Sequence, residues 1–170
     1  MKGTKTGMQN EIQKAFEIHR RGQFDVAHQA YLQLLQRHPD QPDVLHLLGL
    51  LCLQQGQRSD AVRLIGRAIE VGTGKAVYHF NLANALQACG RSEEAITHYD
   101  RALSLEPNHG AACNNKGLAL QSLGRWTAAL AALEQSMALN PSNLDAVSNH
   151  GNVLMDMGLP VQALESYRRA

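Results

Sequence analysis

Glycine recurs at Gly22, Gly56, Gly90, Gly124 and Gly158, each 34 residues after the last. Alanine keeps the same step at Ala27, Ala61, Ala95, Ala129 and Ala163. A strict period of this length means stacked copies of one supersecondary unit, because a single such unit cannot bury its apolar face alone. The period also bounds function. A stack of similar units builds one long surface, and long surfaces suit extended partners.

Counting from Met8 places the units at 8–41, 42–75, 76–109, 110–143 and 144–170, the last stopping at its twenty-seventh position, after a polar segment 1–7 read as a flexible tail. Each complete unit reads as two helices joined by a short turn at the glycine, which gives an all-α chain of about ten helices, the last one short. Position 15 is the glycine, suited to ending a helix in the left-handed conformation. In Gly90-Arg-Ser-Glu-Glu-Ala, Ser92 is expected to cap the next helix, and Glu93 and Glu94 suit its positive end. Position 20 is the alanine, read as the point where the two helices of a unit cross closely. Position 24 is large (Tyr31, Ile65, Tyr99, Leu133, Tyr167) and position 8 is small (Ala15, Gly49, Ala83, Gly117, Gly151). Small thus faces large across the seam. Pro39, Pro107 and Pro141 at position 32 stop the second helix.

This pattern resembles the tetratricopeptide repeat, over residues 8–170. The resemblance implies a right-handed α-solenoid of about five helix–turn–helix repeats whose first helices line a concave groove with positions 2, 5, 6, 9, 12 and 13. Those positions share one stripe at 3.6 residues per turn. The departures are Thr73 for proline in the second unit and Leu34 and Ser136 for alanine at position 27. Glu11 and Lys14 are polar where the family is apolar, as in an adapted N-terminal cap.

The stripe carries amides. Position 6 holds Asn81, Asn115 and Asn149, position 9 holds Asn84 and Asn152, position 5 adds Asn114, and position 12 adds Gln87 and Gln121. Asparagine is a poor helix-interior residue because its side chain competes for backbone hydrogen bonds. A primary amide offers two donors and an acceptor. A row of them can pair with the backbone of an extended peptide without selecting its side chains. The alternative is that the amides bond to neighbouring helices and set repeat stacking, and the two are compatible. Asn81-Leu-Ala-Asn84 and Asn149-His-Gly-Asn152 are similar to the asparagine ladder in the tetratricopeptide domain of O-linked N-acetylglucosamine transferases. Pro42-Asp-Val-Leu-His-Leu-Leu-Gly49 is similar to bacterial arrays placed ahead of glycosyltransferase or other transferase domains. A two-carboxylate clamp of the chaperone-binding kind is excluded. Phe80, Asn84, Asn115, Asp145 and Asn149 stand at its five positions, and its three cations are missing.

No catalytic constellation, metal site or cofactor motif is legible. The eight histidines occupy different repeat positions, and none forms a His-x-x-x-His pair or joins a cysteine at metal spacing. Every recurrent glycine closes a hairpin rather than a phosphate loop. Net charge is +1, so nucleic acid is not an expected partner. No apolar stretch approaches the length of a membrane span. Cys52, Cys89 and Cys113, an odd number without a disulfide framework, read as small apolar residues of first helices in a reducing cytoplasm. Trp126, at position 17, is expected to pack beside its turn. The expected function is a scaffold for a protein or peptide partner. One rival is the substrate-recruiting part of a longer transferase, and another is an array that self-associates through its exposed C-terminal repeat.

Overall fold

The computed structural model describes residues 2–168, with side chains from residue 7 to residue 168. The helices are α1 (Lys2–Arg20), α2 (Phe24–Arg37), α3 (Pro42–Gln54), α4 (Arg58–Val71), α5 (Ala76–Ala88), α6 (Ser92–Leu105), α7 (Gly110–Ser122), α8 (Trp126–Leu139), α9 (Leu144–Asp156) and α10 (Pro160–Tyr167). Among the described residues there is no strand. The chain forms two compact units divided within α5, one running through Asn81 and the other from Leu82. In the first, α1 packs on α2, α2 on α3 and α3 on α4. In the second, α6 packs on α7, α7 on α8, α8 on α9 and α9 on α10.

The recurrent glycines end their helices as the period predicts. Gly22, Gly56, Gly90, Gly124 and Gly158 have φ of 76, 77, 75, 69 and 74°. Around each, two backbone bonds close the turn. At Gly124 the amide of Arg125 donates to Leu120 (3.0 Å) and that of Gly124 to Gln121 (2.9 Å). This is the Schellman pattern, which satisfies carbonyls that the helix leaves open. A Cβ on Gly124 would meet nothing within 4 Å. Gly124→Ala therefore tests backbone strain alone and is expected to cost about 1–2 kcal/mol in urea unfolding. D-alanine introduced there by semisynthesis should cost nothing. An equal loss for both would refute the strain argument.

The seam matches its pattern. Ala27, Ala61, Ala95, Ala129 and Ala163 are all fully buried. A Cβ on Gly49 would lie 2.6 Å from Cγ1 of Ile65, and one on Gly117 would lie 2.6 Å from Cγ of Leu133. Gly151 similarly lies under the Tyr167 ring. Position 8 is thus small because position 24 of the same unit fills the space above it. Ser136, a departure at position 27, is fully buried, and its hydroxyl donates to the Gly110 carbonyl at 2.9 Å. The bond offsets the burial of a polar group at a site other units fill with a hydrocarbon.

Several local expectations change. The helix α1 begins at Lys2, through the segment read as a tail, because each added helical residue gains a backbone bond once a nucleus exists. Ser92 does not cap α6. Arg91 holds the N-cap position without a side-chain bond, and Ser92 is buried with its Oγ 2.9 Å from that of Ser122. Cys89 lies one residue past α5 and is only half-buried, whereas Cys52 and Cys113 are buried. Trp126 begins α8 and stays 41% exposed.

Candidate functional site

The amides of the second unit form one directed chain. Asn149 Nδ2 donates to Asn114 Oδ1 (3.0 Å). Asn114 Nδ2 donates to Asn115 Oδ1 (3.1 Å), and Asn115 Nδ2 to Asn84 Oδ1 (2.9 Å). Asn84 also accepts from Tyr99 Oη at 2.6 Å, a phenol proton shared with Gln87 Oε1 at 2.8 Å. Both lone pairs of the Asn84 oxygen are therefore used. Every amide in the chain points the same way, so the bonds polarise one another. Tyr99 is fully buried, and desolvation raises its pKa, which keeps the phenol a donor. Asn114 is buried at 9% exposure, while Asn84, Asn115 and Asn149 are half-buried. Each bond uses one N–H of an amide that carries two.

The other expected residues sit beside this chain. Gln121 Nε2 donates to Asp156 Oδ2 (2.6 Å), and Asn152 Oδ1, on an exposed residue, accepts from Tyr167 Oη (2.8 Å). The position-24 tyrosines were read from sequence as packing residues only. Two of the three also hold the position-9 asparagines of their own repeats, Tyr99 with Asn84 and Tyr167 with Asn152, whereas the Tyr31 hydroxyl meets His19. A sequence signal for this exists. Where position 9 is asparagine, position 24 is tyrosine, and where position 9 is Leu50 or Leu118, position 24 is Ile65 or Leu133.

Asn81 lies in the first unit and has a different partner. Its Nδ2 is 2.8 Å from His46 Nε2. An N–H donated there needs a neutral ring with its proton on Nδ1. Burial pulls the His46 pKa down to about 4, against the opposing effect of Asp43. The His46 ring also lies 4.7 Å from that of Tyr78. Asp43 accepts from Lys75 Nζ (2.6 Å) and from the Tyr78 hydroxyl. Burial pushes the Asp43 carboxyl up, but these two hydrogen bonds outweigh it and leave the pKa below its usual value.

One regularity runs through both units. His19 with Gln54, Asp43 with Tyr78, His46 with Asn81, Asn114 with Asn149 and Gln121 with Asp156 are each 35 residues apart. A first helix therefore meets the next first helix one position further along. Asn81 and Asn149 are thus reached by position 5 of the preceding repeat, whereas Asn115 is bonded to Asn84 at position 9 of the preceding repeat.

Among the described residues, no three His, Cys, Asp or Glu side chains gather to hold a metal, and no helix is long and apolar enough to cross a membrane. His150 Nδ1 lies 2.9 Å from Ser166 Oγ and its Nε2 lies 3.7 Å from Glu134 Oε1. Ser166 is buried inside α10, so its hydroxyl is not presented to a substrate.

Models of the tetratricopeptide repeat match residues 19–79, 76–109 and 110–143. Protein O-mannosyl-transferase TMTC1 of Homo sapiens and its Mus musculus counterpart are each 52% identical over 40 residues, 24% of this chain and 4% of theirs. The chain thus spans a small fraction of the length of these curated relatives. Among solved structures, MamA is similar at a TM-score of 0.85 and 24% identity, over 91% of each chain. MamA 41-end from Desulfovibrio magneticus RS-1 reaches 0.89 at 14% identity, over 95% of this chain and 92% of that one. YrrB, described as a TPR protein with an unusual peptide-binding site, gives 0.82 at 19% identity, over 94% and 82%. At such identities the likeness is one of fold. The matched repeats follow one another from residue 19 to residue 143, most of the chain, in the register of the glycine turns and buried alanines, and the chain belongs to the tetratricopeptide repeat family.

Proposed function

We propose that this chain is a protein-interaction scaffold that holds an extended peptide along the amide-bearing first helices, with Asn84, Asn114, Asn115, Asn149 and Asn152 of the second unit as its main contacts. The observation that carries this is the directed amide chain. Its bonds fix the asparagine side chains, so little conformational entropy is left to lose on binding. Half-buried members keep a second N–H each, and a peptide carbonyl is the natural acceptor. Gln87 and Gln121 of the same unit flank the row. The three cysteines are free thiols, which suits a cytoplasmic location. The role requires no cofactor and no chemistry from this chain.

Peptides selected from a random library on the intact protein test the reading. The double variant Asn115→Ala with Asn149→Ala should bind them at least about tenfold more weakly, since each lost hydrogen bond contributes about 1 kcal/mol. The two changes also break internal bonds, so a modest fall in melting temperature accompanies them. Unchanged affinity for every selected peptide would assign the amides to repeat stacking alone.

Two other readings have an observation behind them. The identity with O-mannosyl-transferases over 40 residues favours a substrate-recruiting array of a larger transferase, which the sequence of the full gene tests. Self-association through the C-terminal repeat is favoured by Val161 and Leu164, 72% and 50% exposed in α10. Ile96 and Leu130, the counterparts of Leu164 in earlier repeats, pack against the buried cluster of the second unit. Light scattering across a concentration series tests it.

A further inference from the structure

The inner-stripe positions that carry amides in the second unit are occupied differently in the first. Position 9 is Phe16 and Leu50, and position 12 is His19 and Leu53. With Phe24 and Arg20 these residues line a cavity of about 590 Å³. That volume lies within the roughly 300–1,000 Å³ of ligand pockets. Its walls are fixed. His19 is buried, with Nδ1 3.2 Å from Tyr31 Oη and Nε2 2.8 Å from Gln54 Oε1. The Phe16 ring stands edge-on to His19 at 6.4 Å, and the Phe24 ring does so at 5.9 Å. Phe24 is 38% exposed, so an aromatic wall opens to solvent.

The rim is cationic. Arg20 lines the cavity, and Arg21 joins it beside an adjacent hollow with Glu17. Glu17 already accepts from Gln13. Arg37, Arg63, Arg67, Arg91 and Arg125 each hold a carboxylate, whereas among the described residues Arg20 and Arg21 form no ion pair. Ring-lined pockets also take quaternary ammonium groups, but a guanidinium at the mouth repels a cation.

We propose that this pocket of the first unit takes a large apolar side chain of a partner peptide whose next residue is acidic, the aromatic walls holding the side chain and Arg20 the carboxylate. It rests on the scaffold reading only in taking a peptide as ligand, and it does not use the amide row.

The test is titration of the full chain, with 13C-labelled aromatic rings, by N-acetyl-Phe-Glu amide, N-acetyl-Phe-Gln amide and N-acetyl-Phe-Lys amide. The Phe16, His19 and Phe24 ring signals should shift with the glutamate peptide. Affinity should fall by up to about fivefold for the glutamine peptide, the upper range of an exposed ion pair, and further for the lysine peptide. Arg20→Gln should erase the difference between glutamate and glutamine, and Phe24→Ala should weaken all three peptides at least tenfold. Both side chains are exposed enough for the fold to persist, which circular dichroism verifies. Asn149→Ala should bind the glutamate peptide unchanged. Ring signals that stay still, equal affinity for the three peptides, or loss of binding in Asn149→Ala would each overturn the proposal. The last outcome would leave the amide-row reading standing.

Discussion

Tyr99→Ala should remove about 3–5 kcal/mol from the unfolding free energy of the second unit, the range for deleting a fully buried aromatic ring. Tyr99 has no exposed surface, and its hydroxyl ends the amide chain at Asn84 while also reaching Gln87. The substitution therefore combines a cavity with a lost donor. Tyr99→Phe separates the two. It keeps the ring and should cost about 1–3 kcal/mol, the penalty for leaving shielded amide oxygens one partner short. In a stacked array each repeat contacts only its neighbours, so the loss should appear first as local opening. Hydrogen exchange should accelerate across α5 to α8 before it does in α1 and α2. A Tyr99→Ala variant within 1 kcal/mol of the parent in urea unfolding would count against both terms. Equal losses for the two variants would assign the whole effect to the hydroxyl.

The repeat architecture is legible because its causes are local and recur. A glycine with positive φ, an alanine at a crossing and a proline past a helix end each follow from the backbone of one unit, and five copies make the register unambiguous. Ser92 was misread for a related reason. Its sequence context fits a cap, but its hydroxyl finds Ser122, thirty residues on, which no local rule reveals. The amides show the same divide. Their shared stripe follows from helical periodicity. Their partners depend on how one first helix is offset against the next, and that offset is a packing outcome. The five polar pairs at a separation of 35 record it. Once known, the offset makes such pairs readable from sequence as position n in one repeat and n + 1 in the next. The pocket beneath Phe24 has no such signal, because Phe16, Leu50, Leu53 and Phe24 are apolar residues at positions 9, 12 and 17, where helix packing calls for them in any case. Only geometry shows that they enclose space rather than fill it.

Ala129→Leu is the second large effect, and it tests the crossing itself. Ala129 is fully buried in a cluster with Leu120, Ala132, Leu133 and Val153. A Cβ on Gly117 would lie only 3.3 Å from the Ala129 carbonyl oxygen. Backbone of α8 therefore approaches α7 more closely than a side chain longer than a methyl group permits. Three added carbons must push the helices apart or force strained rotamers, at a cost of about 1–3 kcal/mol. Ala131→Leu is the control. It lies on the exposed side of the same helix and should stay within about 0.5 kcal/mol. Combining Ala129→Leu with Leu133→Ala separates overpacking from other causes. Leu133→Ala alone opens a cavity and should cost about 2–5 kcal/mol. If the new leucine needs room, the deleted one supplies it, and the double variant should lose less than the sum of the singles by more than about 0.5 kcal/mol. Strict additivity would mean that Ala129 is not held small by its neighbours, and the close crossing would lose its explanation.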